Sequence, residues 1–335
     1  MALNATFDLN IDLDQDGRFD GYLHVKTATE RSPFGWSMIP VTSVRNGAGP
    51  CAIIMGGCHG DEYEGQLVSR SLLADIRPED VTGQLIILPA ANAPAVQAGT
   101  RFSPVDGSNL NGVFPGRVDG TPTERIACFI ETVLLPRASV MVDIHSGGKP
   151  VDYVPSTMIS GVLDGERKRE LVELVKSFGL PVAFFVDKAD YSPSSVLGAC
   201  DRAGVFNISV EVGGGGSVSW PALDMVRNAL LRLLNHLGII QQQSHQQPQQ
   251  VCFLRRLPVS ATVCSPATGL FEPRVELGSY VEANQLAGFV HSIEMPWSKP
   301  IPVNFKDAGF VLCRRFPVET RAGDGLFKLA VPAEL

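Results

Sequence analysis

The sequence predicts an α/β protein, a mixed sheet flanked by helices, with a small all-β, barrel-like module at its C-terminal end. Three observations predict it. Short apolar runs of strand length alternate with stretches of helical period between residues 51 and 237. A polar, low-complexity stretch, Gln241 to Gln250, then interrupts the chain. Beyond it, glycines and prolines punctuate short alternating runs that carry little helical pattern.

Taken in order, residues 1–50 read as short strands and turns. Cys51 to Gly57 is a short apolar run, expected to be a buried strand, and it ends in Cys58-His59-Gly60-Asp61-Glu62-Tyr63-Glu64-Gly65. A helix follows, with Leu67, Val68, Leu72, Leu73 and Ile76 near a 3.6-residue period. Gln84 to Ala91 is a second buried strand, and loops rich in glycine and asparagine fill 92–120. Thr121 to Leu135 has the Thr/Pro start of a helix. Val140 to His145 is a third strand, Glu166 to Phe178 an amphipathic helix, Val205 to Glu211 another strand and Ala222 to Leu237 another helix. Alternating strands and helices imply a sheet that is at least partly parallel, and such sheets bind ligands beyond the carboxyl ends of their strands. The expected division is a catalytic domain over 1–240, a linker over 241–250 and a β domain over 251–335.

Composition narrows the function. The chain is 44% hydrophobic and 19% charged, ordinary for a globular protein of 335 residues. A net charge of −7 and the absence of a Lys/Arg run exclude an obvious nucleic-acid surface. No apolar stretch approaches the roughly 18 residues of a membrane span. The first residues lack the basic and apolar regions of a signal peptide, so a cytoplasmic protein is expected. Seven widely spaced cysteines with no CxxC pair argue against a disulfide framework or a thiolate zinc site. Cys58 reads as a small buried residue.

The chemistry concentrates at strand ends. His59 and Glu62 can converge on one ion where a strand turns into a helix. Zinc takes imidazole nitrogen and carboxylate oxygen at ~2.0–2.2 Å, with three protein ligands and one open position in catalytic sites. HxxE alone also describes a strand-end histidine beside a glutamate that favours the helix dipole. His145, closing Val142-Asp143-Ile144-His145 before small residues, is the candidate third ligand, and Asp143 lies on the same side of that strand as a partner for it. His24, His236, His245 and His291 read as surface or packing residues. Glu211 closes an apolar strand before four glycines. A buried carboxylate there needs a partner or a raised pKa, which suits a general base beside a metal; the alternative is an ion pair with a nearby Lys or Arg.

The ordered set HGDEYEG, DGSNLNGVFPG, DIHSGG and EVGGGG resembles the succinylglutamate desuccinylase/aspartoacylase family of the zinc carboxypeptidase superfamily, over most of 40–240. Within it, Leu88 to Val96 and Arg101 to Gly107 look most like N-α-acetyl-L-2,4-diaminobutyrate deacetylases. The resemblance implies a zinc-carboxypeptidase-like mixed sheet and one Zn2+ per chain on His59, Glu62 and His145. It implies Glu211 as general base and Arg101 as the arginine that polarises the scissile carbonyl. In the family's NLNR motif this chain has Asn109-Leu110-Asn111-Gly112. Asn111 matches the asparagine that holds the substrate carboxylate, with Asn109 beside it. Glycine cannot make the bidentate contact of the missing arginine, and Arg117 is the candidate replacement. Solvated loop charge is the competing reading of Arg101 and Arg117.

The implied reaction is hydrolysis of a small N-acyl amino acid, with N-α-acetyl-diaminobutyrate as the expected substrate. Asp106, Asp119 and Asp152 are candidates for binding its second amine. The rivals are a deacylase of another N-acyl amino acid and a non-catalytic zinc- or ligand-binding homologue. Residues 267–326 echo a lipoyl/biotinyl-like barrel, but the carrier-lysine context near Glu294 to Lys299 is missing. The module is expected to be a structural cap or a contact between copies in a homo-oligomer.

Overall fold

The computed structural model describes residues 7–28, 32–241 and 247–334, and in it the apolar runs form the centre of one 14-stranded sheet. Cys51–Gly56, Gly83–Leu88 and Val140–His145 are buried at every position. Gly83–Leu88 and Val140–His145 flank Cys51–Gly56 in parallel, and Phe206–Gly214 runs parallel on the far side of Val140–His145. Unbroken burial is what a parallel strand covered on both faces requires. One covering layer contains the helices Tyr63–Asp75, Gly165–Phe178 and Trp220–His236, which contribute Leu72, Val175, Leu230 and Leu234. Each such side chain contributes about 1.5–3 kcal/mol on burial. The opposite layer holds Phe114, Phe129 and Leu134. The Thr121 hydroxyl and the Glu124 carboxylate cap the helix Pro122–Phe129 reciprocally, as its Thr/Pro start predicts.

The N-terminal region departs from the expected short strands. Gly17–Lys26 and Trp36–Asn46 form one long antiparallel hairpin, docked on the edge of Gly83–Leu88. Its solvent face carries Tyr22, Trp36 and Met38, so apolar residues on both faces hide the alternation. Two short helices, Ala93–Ala98 inside the region expected to be loop and Val196–Ala203 in a stretch given no element, are fixed by caps from Asn92 and Ser195.

Residues beyond the Gln-rich stretch build two structures. Residues 242–246 of that stretch, with His245, lie outside the described residues. Cys252–Arg256 joins the large sheet in parallel with Val182–Val186. It pairs next with Gly325–Pro332, which pairs with Gly309–Arg315, which pairs back onto Val151–Ser160. Because Val151–Ser160 also pairs with Val182–Val186, these five strands close a ring around Val154, Phe184, Leu254, Leu312 and Ala330. A separate four-stranded sheet, Glu319–Thr320, Gly269–Pro273, Leu286–His291 and Ile301–Asn304, packs over Phe271, Phe305 and Phe327. Lys299 sits in an exposed turn of that sheet. Among the described residues no helix is long and apolar enough to cross a membrane. All seven cysteines are free.

Candidate metal centre

Two close backbone approaches bring the site together. A Cβ on Gly65 would sit 2.4 Å from the Ile144 carbonyl, so only glycine lets the helix Tyr63–Asp75 lie against the end of Val140–His145. A Cβ on Gly60 would collide with Ala95, so the turn after Cys51–Gly56 is held against the helix Ala93–Ala98. Gln66 pins the same turn by donating to the carbonyls of Gly60 and Glu62. Glu62 occupies the N-cap position of its helix in extended conformation, yet its side chain caps nothing. It turns inward to the histidines instead.

There it meets both of them. His59 Nδ1 lies 2.7 Å from Glu62 Oε1 and His145 Nδ1 2.8 Å from Glu62 Oε2, with all three side chains buried. The other ring nitrogens have oxygen partners: Asn109 Oδ1 at 3.0 Å from His59 Nε2, and Asp143 Oδ2 at 2.7 Å from His145 Nε2. Asp143 is thus the partner expected of it. With each Nε2–H donating a hydrogen bond to its oxygen, both Nδ1 lone pairs are aimed at a carboxylate. Only positive charge reconciles that arrangement: a second proton on the ring, or a cation held by all three. Two imidazole nitrogens and one carboxylate, each imidazole braced by a further oxygen, fit a divalent metal with an open position. Cys58, Asp143 and His145 form a second close group. Burial pushes the Cys58 thiol well above its usual range, and Asp143 and Glu62 push it further, so it is a poor ligand.

The electrostatics follow from burial and proximity. Burial works against the Glu62 carboxylate, but His145 and then His59 hold it well below the usual range. Burial also opposes charge on His145, and Asp143 and Glu62 overcome it, so its pKa lies well above normal. Glu211 stands opposite His145 in the strand register. Its Oε2 is buried without a hydrogen-bond partner, and burial, with Glu62 and Asp143, pushes its carboxyl up to about 8 against the pull of His145 and Arg101. It has no Lys or Arg ion pair among the described residues.

The remaining predicted residues divide. Arg101 is half-exposed and donates to Glu62 Oε1 at 3.0 Å, at the rim of the centre. Asn109 holds His59 and caps Asn111 N. Asn111 Oδ1 accepts from Val196 N, at the start of the helix Val196–Ala203. Arg117 lies at the surface, where its ion-pair partners among the described residues are Asp119 and Glu124. Asp106 binds the backbone and hydroxyl of Thr123, Asp119 is exposed, and Asp152 lies in register with Arg314 on the closed ring. His24 contacts Asp8, His291 contacts Glu272, and His236 ends its helix. Glu64 is a further carboxyl that the sequence reading passed over. It is buried, its Oε2 has no partner, and burial, with the nearby Glu62, pushes it up to about 7. Its signal was a second acid in the first turn of the helix, two positions after Glu62. A cavity of about 800 Å³ beside Trp36, Met38 and the helix Ala93–Ala98 contains none of these residues.

Comparison with known proteins agrees with this geometry. The profile of the succinylglutamate desuccinylase/aspartoacylase catalytic domain matches residues 48–237. N-α-acetyl-L-2,4-diaminobutyric acid deacetylase of Halomonas elongata is 35% identical over 324 residues, 97% of this chain and 94% of that protein. The product-bound structure of the ectoine utilization protein EutE (DoeB) from Ruegeria pomeroyi superposes with a TM-score of 0.92 at 36% identity, covering 97% of this chain and 98% of that one. A succinylglutamate desuccinylase/aspartoacylase from Rhodobacter sphaeroides superposes with a TM-score of 0.91 at 32% identity, covering 98% and 99%.

Proposed function

The chain belongs to the succinylglutamate desuccinylase/aspartoacylase family, and from that premise we propose that it is a zinc-dependent deacylase of N-α-acetyl-L-2,4-diaminobutyrate. The observation that carries the chemistry is the convergence of His59, Glu62 and His145 beside Glu211, a carboxyl whose buried oxygen has no partner. The similarity to the Halomonas elongata deacetylase over nearly the whole chain supports the substrate.

Zinc held by His59, Glu62 and His145 would supply Lewis acidity toward the amide carbonyl and lower the pKa of water. The protein's own residues do the rest. Glu211 takes a proton from the attacking water and returns it to the departing amine nitrogen, a role that needs a carboxyl poised near neutral pH. Arg101, already at the rim, turns its guanidinium toward the carbonyl oxygen as negative charge develops there. Asp143 and Asn109 keep both imidazoles oriented through their Nε2 atoms.

The test is metal content and turnover on one preparation. Protein purified without chelator should hold about one zinc per chain and release acetate from N-α-acetyl-diaminobutyrate in preference to N-acetyl-aspartate or succinate from N-succinyl-glutamate. Preference for either of the others would keep the chemistry and overturn the substrate. Zinc without turnover on all three would favour the binding homologue, and failure to take up zinc would overturn the proposal as a whole.

A further inference from the structure

A second cavity, of about 170 Å³, runs along the same sheet from the metal centre. Its floor is Asp143, Ser209 and Met158, neighbours in the strand register. Asp143 is the residue that holds His145, so the cavity and the metal centre share a wall. Asn111 closes one side. At the far end stand Asp190, just after the strand Val182–Val186, and Arg256, the last residue of Cys252–Arg256. The volume equals that of about five or six waters, the scale of one small amino acid.

The two charged residues are built into this place. Arg256 Nη2 lies 3.4 Å from Asp190 Oδ2, and both side chains are largely buried. Arg256 Nε is buried with no hydrogen-bond partner. A guanidinium so enclosed, with one weak contact to a carboxylate and a donor unused, is incompletely satisfied. It is reached by burial in the closed ring, since its strand pairs with both Val182–Val186 and Gly325–Pro332. At Gly112, by contrast, there is no side chain, and the nearest atoms to an added Cβ belong to Asn109, at 3.8 Å.

We propose that Arg256 and Asp190 form the subsite for the amine half of the substrate, Arg256 taking its α-carboxylate and Asp190 the ammonium of its side chain. The pair is complementary to an amino acid that carries one negative and one positive group beyond the reacting nitrogen. A diacid would set a second carboxylate against Asp190. This assignment rests on the amino-acid deacylase reading above, and makes the C-terminal segment a contributor to specificity.

Binding separates the two claims, because it needs no turnover. Calorimetry on the zinc-loaded protein would use L-2,4-diaminobutyrate, L-2-aminobutyrate, which lacks the side-chain amine, and 1,3-diaminopropane, which lacks the carboxylate. Wild type should prefer diaminobutyrate to each by about tenfold or more. Asp190→Asn should abolish the preference over 2-aminobutyrate alone, and Arg256→Met the preference over diaminopropane alone. Arg256→Lys, with its charge kept, should restore part of that preference and guards against a loss caused by misfolding. Variants that fold, retain zinc and keep both preferences would overturn the subsite. So would equal weakening of all three ligands, the mark of a merely structural ion pair. Wild type that binds diaminobutyrate no better than the two analogues would overturn it as well. An inactive enzyme that still shows the two selective losses would instead count against the deacylase reading and leave the subsite standing.

Discussion

The candidate metal centre and the cavity beside it are built by opposite strategies. His59 and Glu62 are three residues apart, and His145 ends the strand that pairs directly with the one before His59. Each sits where a buried strand must stop, so short-range pattern and sheet order are enough to bring them together. The cavity draws Asn111, Asp190 and Arg256 from three distant segments, one of them beyond the Gln-rich stretch. Its assembly depends on a ring of strands that closes only when residues 252–332 return to the sheet. The residues of the candidate centre stand at the ends of neighbouring strands in the middle of one sheet, while the groups beside it are a product of tertiary closure.

The largest effect should come from Glu211, the proposed proton carrier. Glu211→Gln keeps the shape of the side chain and removes its basicity. We expect kcat to fall by roughly 10²–10⁴-fold with zinc content unchanged. Loss of zinc together with activity would instead make Glu211 a ligand and redraw the boundary of the metal centre.

Asp143 tests how far that centre depends on its support. It touches His145 at Nε2, on the other side of the ring from the Nδ1 that faces Glu62, and also floors the cavity. Asp143→Asn should weaken zinc about ten- to hundredfold, read by competition with a chelator. Unchanged zinc affinity would mean that Asp143 serves only the cavity.

How much of this was legible in the sequence follows the same division. The buried parallel strands announced themselves because both faces are covered, which makes each an unbroken apolar run. His59, Glu62, His145 and Glu211 were visible as polar residues where such runs end. The long N-terminal hairpin was hidden because Tyr22, Trp36 and Met38 are apolar on its solvent face. The helices Ala93–Ala98 and Val196–Ala203 are too short for a period and owe their start to Asn92 and Ser195. Asn109 and Asn111 stood out in their motif, but it could not show that one side chain holds His59 and the other caps a helix. Arg256 gave no local signal, since Leu254-Arg255-Arg256 reads as a strand end, and only the ring buries its second arginine.

Metal-free protein offers a smaller, thermodynamic test of the centre. Burial lifts Glu211 to about 8 and Glu64 to about 7, and carboxylate neighbours hold His145 well above its normal value. In the window from about pH 5 to 8 the folded state therefore binds protons that the unfolded chain has released. Its stability must fall as pH rises. Glu62 has a lowered pKa, and above about pH 5.5 it is largely ionised in both states, so over the measured range it adds close to a constant. The melting temperature of chelated protein should drop by a few degrees between pH 5.5 and 8, and zinc should restore more at the higher pH, where it displaces fewer protons. A flat or rising profile would show that these groups do not share an unscreened cluster.

The smallest effect sharpens the contrast between two arginines. Arg117 and Arg256 are both candidates for the charge missing at Gly112, and they occupy opposite environments. Arg117 is 67% exposed, with Asp119 and Glu124 at 3.9 and 3.8 Å, the outer limit of an ion pair. Such contacts contribute little because water and salt screen them. Arg117→Ala should leave KM, kcat and melting temperature unchanged within about twofold or a degree. Arg256 is largely enclosed, so its guanidinium acts where screening is weak. A rise in KM of tenfold or more in the Arg117 variant, with folding intact, would move carboxylate recognition to the surface loop after Gly116 and leave Arg256 a structural partner of Asp190.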